Sequence, residues 1–169
     1  MIRQRLFVER YGWTLHVYYA VRSFFVDEIM EVLRAIDCPK AFLREAYDNL
    51  SAGRVNRGLT YSNYRRRETV MVIGLASSPR EYANSIVHEL WHYAVHVSLA
   101  LGLDMEGEEP AYLIGDTMSE MMAAARELLC ECSCHSAGIA KGDAQHGRGL
   151  TCQQPTDAAG LPVKALGYL

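Results

Sequence analysis

Apolar and polar residues change rhythm several times along this chain, and each change marks an element. Residues 4–10 and 13–21 concentrate Leu, Phe, Val, Tyr and Trp and are parted by Tyr11-Gly12, which predicts a β-hairpin. Beyond it Phe25, Ile29, Val32, Leu33 and Ile36 recur at helical spacing until Cys38-Pro39 stops the run. A second helix, about 40–51, is expected to end at Ala52-Gly53.

Leu59-Thr-Tyr61 and Thr69-Val-Met-Val-Ile-Gly-Leu75 read as two strands joined by the polar turn Ser62-Asn-Tyr-Arg-Arg-Arg67. The second hardly alternates, as expected of a strand covered by helices on at least one face. Ser77-Ser78-Pro79 then caps a long helix reaching to about Gly102. A further helix over about 108–129 should bury Ile114, Met118, Met121, Met122, Ala125 and Leu129. After Glu131 no apolar period is sustained, so residues 131–169 read as an irregular Cys- and Gly-rich tail behind a domain of residues 1–130. A small sheet packed on helices makes the expected class α+β.

Composition narrows this further. A chain of 169 residues, 50% hydrophobic and 22% charged, has room for one domain with a real core, which excludes disordered and fibrous classes. No apolar run reaches the roughly 18 residues that cross a bilayer, and charges interrupt the N-terminus, so neither a signal peptide nor a membrane anchor is expected. Five cysteines do not make the even framework of a small secreted domain, and a reducing cytoplasm is the simpler setting.

The net charge of −3 is unevenly spread: residues 81–125 contain eight acids and no Lys or Arg. An acidic segment without internal countercharge suits a cation site, although solvated helix surfaces give the same count.

Within that segment, Ser85-Ile-Val-His88-Glu89-Leu-Trp-His92-Tyr-Ala-Val-His96 contains H-E-x-x-H on the expected long helix. Two imidazoles four residues apart share a helix face and can meet one Zn²⁺ at about 2.0–2.1 Å, with Glu89 beside them. Water on such a zinc is acidified toward a pKa of ~7, and a neighbouring carboxylate can take its proton as it attacks a carbonyl. That is hydrolytic chemistry. A third protein ligand is still required, and the turn Asp104-Met-Glu-Gly107 brings the chain back with Glu108 and Glu109 as candidates. Acids at a helix start also offset its dipole with no metal present, so one of the two is expected to serve as a cap or solvated charge.

Over about residues 59–122 the sequence resembles the gluzincin metallopeptidases, the zincins with a glutamate third ligand, and especially their short single-domain and phage-type versions. The matching elements are a buried strand ahead of the helix, His88-Glu89-x-x-His92, and Glu108-x-x-Ala111 on the following helix. The resemblance implies a zincin-like fold and a zinc peptidase acting on a peptide or protein, with one zinc held by His88, His92 and Glu108. It makes Glu89 the general base, and it likens Val70 to Leu75 to the cleft-edge strand that pairs with extended substrates. One departure stands out: larger gluzincins often place an Asp four residues after the ligand glutamate, where this chain has Tyr112. Tyr112 is a candidate for orienting a ligand or steadying an oxyanion, against the plainer reading of a packed aromatic.

His96 continues the histidine face but lies about 12 Å along the axis from His88, too far to share its zinc, and reads as a packed or supporting histidine. Arg65-Arg66-Arg67 reads first as a solvated hairpin tip, and the negative overall charge argues against nucleic acid as a partner. Cys130, Cys132, Cys134 and His135 supply ligands for a second metal, but not at the usual C-x2-C spacing. The rival to the enzyme is a non-catalytic zinc-binding or interaction protein on the same scaffold. A third reading is a metallohydrolase that acts on nucleic-acid-bound protein through the arginine turn.

Overall fold

Side-chain alternation in two hairpins decides how the sheet is covered. In the computed structural model, which describes residues 1–53 and 58–129, β1 (Ile2–Val8) pairs antiparallel with β2 (Trp13–Val21). The link is a short 3-10 turn closed by Gly12 in the left-handed region at φ 56°, a conformation glycine adopts without steric cost. β3 (Leu59–Asn63) pairs antiparallel with β4 (Glu68–Gly74), and β4 lies parallel to β2, giving the order β1-β2-β4-β3.

β4 is therefore interior, which corrects its reading as a cleft-edge strand. Its continuous apolar run reflects cover on both faces and pairing on both sides. Among the described residues, β3 ends the sheet instead.

Among the described residues four α-helices cover the two faces, and the fold is α+β with a small mixed sheet. On one face α1 (Val26–Ala35) and α2 (Lys40–Ser51) bury Ile29, Met30, Leu33, Ala46 and Leu50 against Tyr18, Val21, Val70 and Val72. On the other, α3 (Pro79–Leu101) and α4 (Glu109–Ala125) pack Ile86, Leu90, Tyr93, Val97, Leu113 and Met121 against Leu15, Val17, Met71 and Ile73. Each such side chain removed from water contributes on the order of 1.5–3 kcal/mol before chain entropy is charged.

α4 is turned slightly from the expected face. Leu113, Thr117, Met121 and Ala125 are buried, while Ile114 and Met118 are only partly so and Met122 is exposed. α3 begins and ends as its sequence signals require. Ser78 Oγ accepts from the Glu81 N–H at 3.2 Å, Pro79 occupies the first turn, and Gly102 closes the helix at φ 67°.

Among the described residues, no helix is long and apolar enough to cross a membrane. Cys38 is buried, and that burial pushes its thiol up to about 11, which favours the protonated form at neutral pH. The expected tail and its cysteine cluster lie outside the described residues.

Candidate metal centre

The long helix α3 shows three different faces. Tyr82, Ile86, Leu90, Tyr93, Ala94 and Val97 go into the core, and Val87, Trp91 and Leu99 face solvent. Between these faces, on the flank beside β3, lie His88, Glu89, His92 and His96. They line a cavity of about 250 Å³ with Phe42, Glu45, Ala46 and Asn49 of α2 and with Gly58, Leu59 and Thr60. The cavity thus sits at the β3 edge, with one wall from each helical layer.

His88 and His92 turn their Nε2 atoms toward one another at 3.1 Å, with ring centroids 4.7 Å apart. Without an ion, one ring can donate to the other at that distance. Two nitrogens bound at about 2.0–2.1 Å to one tetrahedral ion would stand about 3.3 Å apart, close to the separation seen here. Burial, and then the neighbouring His88, lowers the pKa of His92, which favours the neutral, ligating form. The donor pair fits zinc.

Glu89 is 2% exposed. The Thr60 hydroxyl donates to its Oε2 at 2.6 Å, and burial pushes its carboxyl up to about 7 against the opposing effect of that hydrogen bond. Gly58, at φ +75°, passes so close that a Cβ there would stand 2.6 Å from Glu89 Oε1 and 2.7 Å from the Val72 carbonyl oxygen. The chain needs glycine at that point for two separate reasons.

His96 is held from the same strand. Its Nδ1 lies 3.0 Å from Ser62 Oγ, and Tyr64 stacks obliquely on its ring. Burial first, and then His92, lowers its pKa. Edge strand β3 therefore sets alternate hydroxyls, Thr60 and Ser62, on two polar residues of α3. Neither contact was anticipated from the sequence, nor were Gly58, Glu45 and Asn49. The available signal was the polar alternation of Thr60 and Ser62 with Leu59 and Tyr61 in a strand otherwise suited to burial.

The other site residues read from the sequence lie elsewhere. Glu108 is exposed at the cap position of α4, with no hydrogen bond or ion pair from its side chain among the described residues. Glu109 is ion-paired with Arg10 and accepts from Tyr11 Oη at 2.9 Å. Tyr112 is 54% exposed and does not line the cavity. The helix hairpin accounts for this. Tyr93 on α3 lies near Thr117 on α4, although their hydroxyls do not meet in hydrogen-bonding geometry, and α4 runs back along α3 from there. The start of α4 is consequently level with the end of α3, about 14 Å along the axis from His92.

Among the described residues, no group of three His, Cys, Asp or Glu side chains is placed to hold a metal ion. At the arginine turn, Arg66 is paired with Glu68 and Asp37, and Asn63 Oδ1 accepts from the backbone of Arg65 and Arg66. No family model, curated protein or solved structure matches this chain.

Proposed function

We propose that the chain is a zinc-dependent peptidase of zincin-like fold that hydrolyses peptide bonds of a peptide or protein substrate. The observation that carries this reading is the converging Nε2 pair of His88 and His92 beside a buried Glu89, all opening into one cavity. A small sheet backing the H-E-x-x-H helix, with an edge strand along the cleft, also supports it.

What a bound zinc supplies is Lewis acidity toward water and toward the substrate carbonyl. The chain's own residues supply the rest. His88 and His92 hold the ion, and Glu89 takes a proton from the attacking water and returns it to the leaving amine. Its carboxyl, pushed up to about 7 in the metal-free chain, would be drawn down by a neighbouring dication and so remain ionised as a base near neutrality. The Thr60 hydroxyl fixes the direction of its lone pairs.

For the third ligand, the resemblance points to Glu108 and the cavity offers Glu45. Glu109 is already committed to Arg10 and Tyr11. On the register of the resemblance, Glu108→Ala is expected to weaken zinc binding at least tenfold more than Glu109→Ala in competition against a chelator, an outcome that requires α4 to come closer to His92 than the distance of about 14 Å along the axis seen here. If Glu45→Ala is the variant that releases zinc, the third ligand belongs to α2 and the register taken from the resemblance is wrong.

The second reading, a non-catalytic zinc-binding or interaction protein, draws on the lack of a third donor beside the histidine pair among the described residues. Metal analysis of the purified protein and a casein digest with and without chelator separate the two. About one zinc per chain with chelator-sensitive cleavage supports the enzyme, and bound zinc without cleavage supports the binding protein.

A further inference from the structure

A chain of hydrogen bonds crosses the sheet behind His96, and its proton order is fixed from the far end. The Trp13 indole, fully buried, can only donate, and it donates to Thr69 Oγ1 at 2.8 Å. Thr69 is itself fully buried, and the only hydroxyl acceptor beside it among the described residues is Ser62 Oγ at 2.7 Å. Its proton goes there. The Ser62 proton then goes to His96 Nδ1 at 3.0 Å, which leaves the imidazole proton on Nε2. The opposite order would leave the Thr69 proton without an acceptor in the core.

His96 Nε2 has no protein partner among the described residues, and the ring lines the cavity. β3 then acts as a ruler. Thr60 marks the level of Glu89, and Ser62, two residues further on, marks the level of His96. A peptide lying along the outer edge of β3, which pairs with no further strand among the described residues, has the same two-residue repeat of about 6.6 Å, so a second carbonyl passes His96 when the first lies at Glu89.

We propose that His96 is a substrate-binding residue: neutral and oriented by the Trp13–Thr69–Ser62 chain, it donates from Nε2 to a peptide carbonyl two residues from the bond that is cut. This rests on the peptidase reading for its ligand, but not for its proton position.

Two measurements test it. Long-range ¹H–¹⁵N spectra of the metal-free protein should show His96 protonated at Nε2 and bare at Nδ1, and Ser62→Ala should let the two tautomers mix. A His96 ring protonated at Nδ1 near neutral pH overturns the proposal. The main casein cleavage sequence is then synthesised in full and in forms ending short of the second residue on either side. Wild type should prefer the full peptide by about fivefold in kcat/KM, the worth of one neutral hydrogen bond. In His96→Phe that ratio should collapse toward one, and Ser62→Ala, which keeps the ring, should reduce it. An undiminished ratio in both variants defeats the substrate contact and leaves the peptidase reading standing. Failure of wild type to cleave casein at all defeats that reading and the contact together, while the tautomer is judged by the spectrum alone.

Discussion

Glu89→Gln is expected to keep about one zinc per chain, to lose hydrolysis by about 10²–10⁴-fold, and to make the metal-free protein more stable at neutral pH. Gln preserves the shape and can still accept from Thr60, but it cannot take a proton from water. The gain in stability follows from the raised carboxyl. Below about pH 4.5 the group is protonated in both folded and unfolded chains. Between 4.5 and about 7 only the unfolded chain ionises, so wild type loses stability as the pH rises through this range. Above about pH 7 the penalty is constant, on the order of 2–4 kcal/mol, and the neutral Gln does not incur it.

Urea unfolding of both proteins with chelator present, at pH 4 and pH 8, reads the effect directly: the two should agree at pH 4 and separate at pH 8. A variant less stable than wild type at pH 8 would show that the carboxylate is welcome where it sits. Equal, chelator-sensitive casein cleavage by both proteins would assign the activity to another site or to a contaminant.

Gly58→Ala is expected to cost about 2–4 kcal/mol, a large effect for one methyl group. The methyl would enter the space of the Glu89 carboxylate and of the Val72 carbonyl, in a backbone region that suits glycine. The side chain can yield, whereas the Val72 carbonyl belongs to interior strand β4 and cannot do so cheaply. Adding Glu89→Ala to Gly58→Ala should therefore recover part of the loss relative to Glu89→Ala alone, and the remainder reports the backbone clash and the left-handed φ. An unchanged urea midpoint in the single variant would mean that the close approach does not exist in solution.

The elements were legible in the sequence because their signals are local. Tyr11-Gly12, Cys38-Pro39, Ser78-Pro79 and Gly102 each punctuate the chain through their own backbone preferences. The histidine pair was legible for the same reason, since i and i+4 on a helix must share a face.

What escaped was relational. Nothing in Val70 to Leu75 shows whether a further strand lies beyond it, because a strand buried on both faces carries the same residues wherever its neighbours stand. Thr60 and Ser62 acquire their partners only from the offset between β3 and α3. The placement of Glu108 depends on how far α4 runs back along α3, which a motif spacing does not fix.

The parallel join of β2 to β4 affects how the cleft comes into being. Each hairpin closes a short stretch of chain, but the parallel register brings together positions such as Tyr18 and Val72, about 50 residues apart, and pays a larger loop-closure entropy. One wall of the cleft, α2, lies inside that long excursion, and the other, α3, follows it. A nascent chain with both hairpins and the histidine helix already formed thus still lacks an enclosed cleft. On the peptidase reading, catalytic competence waits for this long-range join as well as for the local elements, and a copy that lacks it has no cleft in which to hold a substrate.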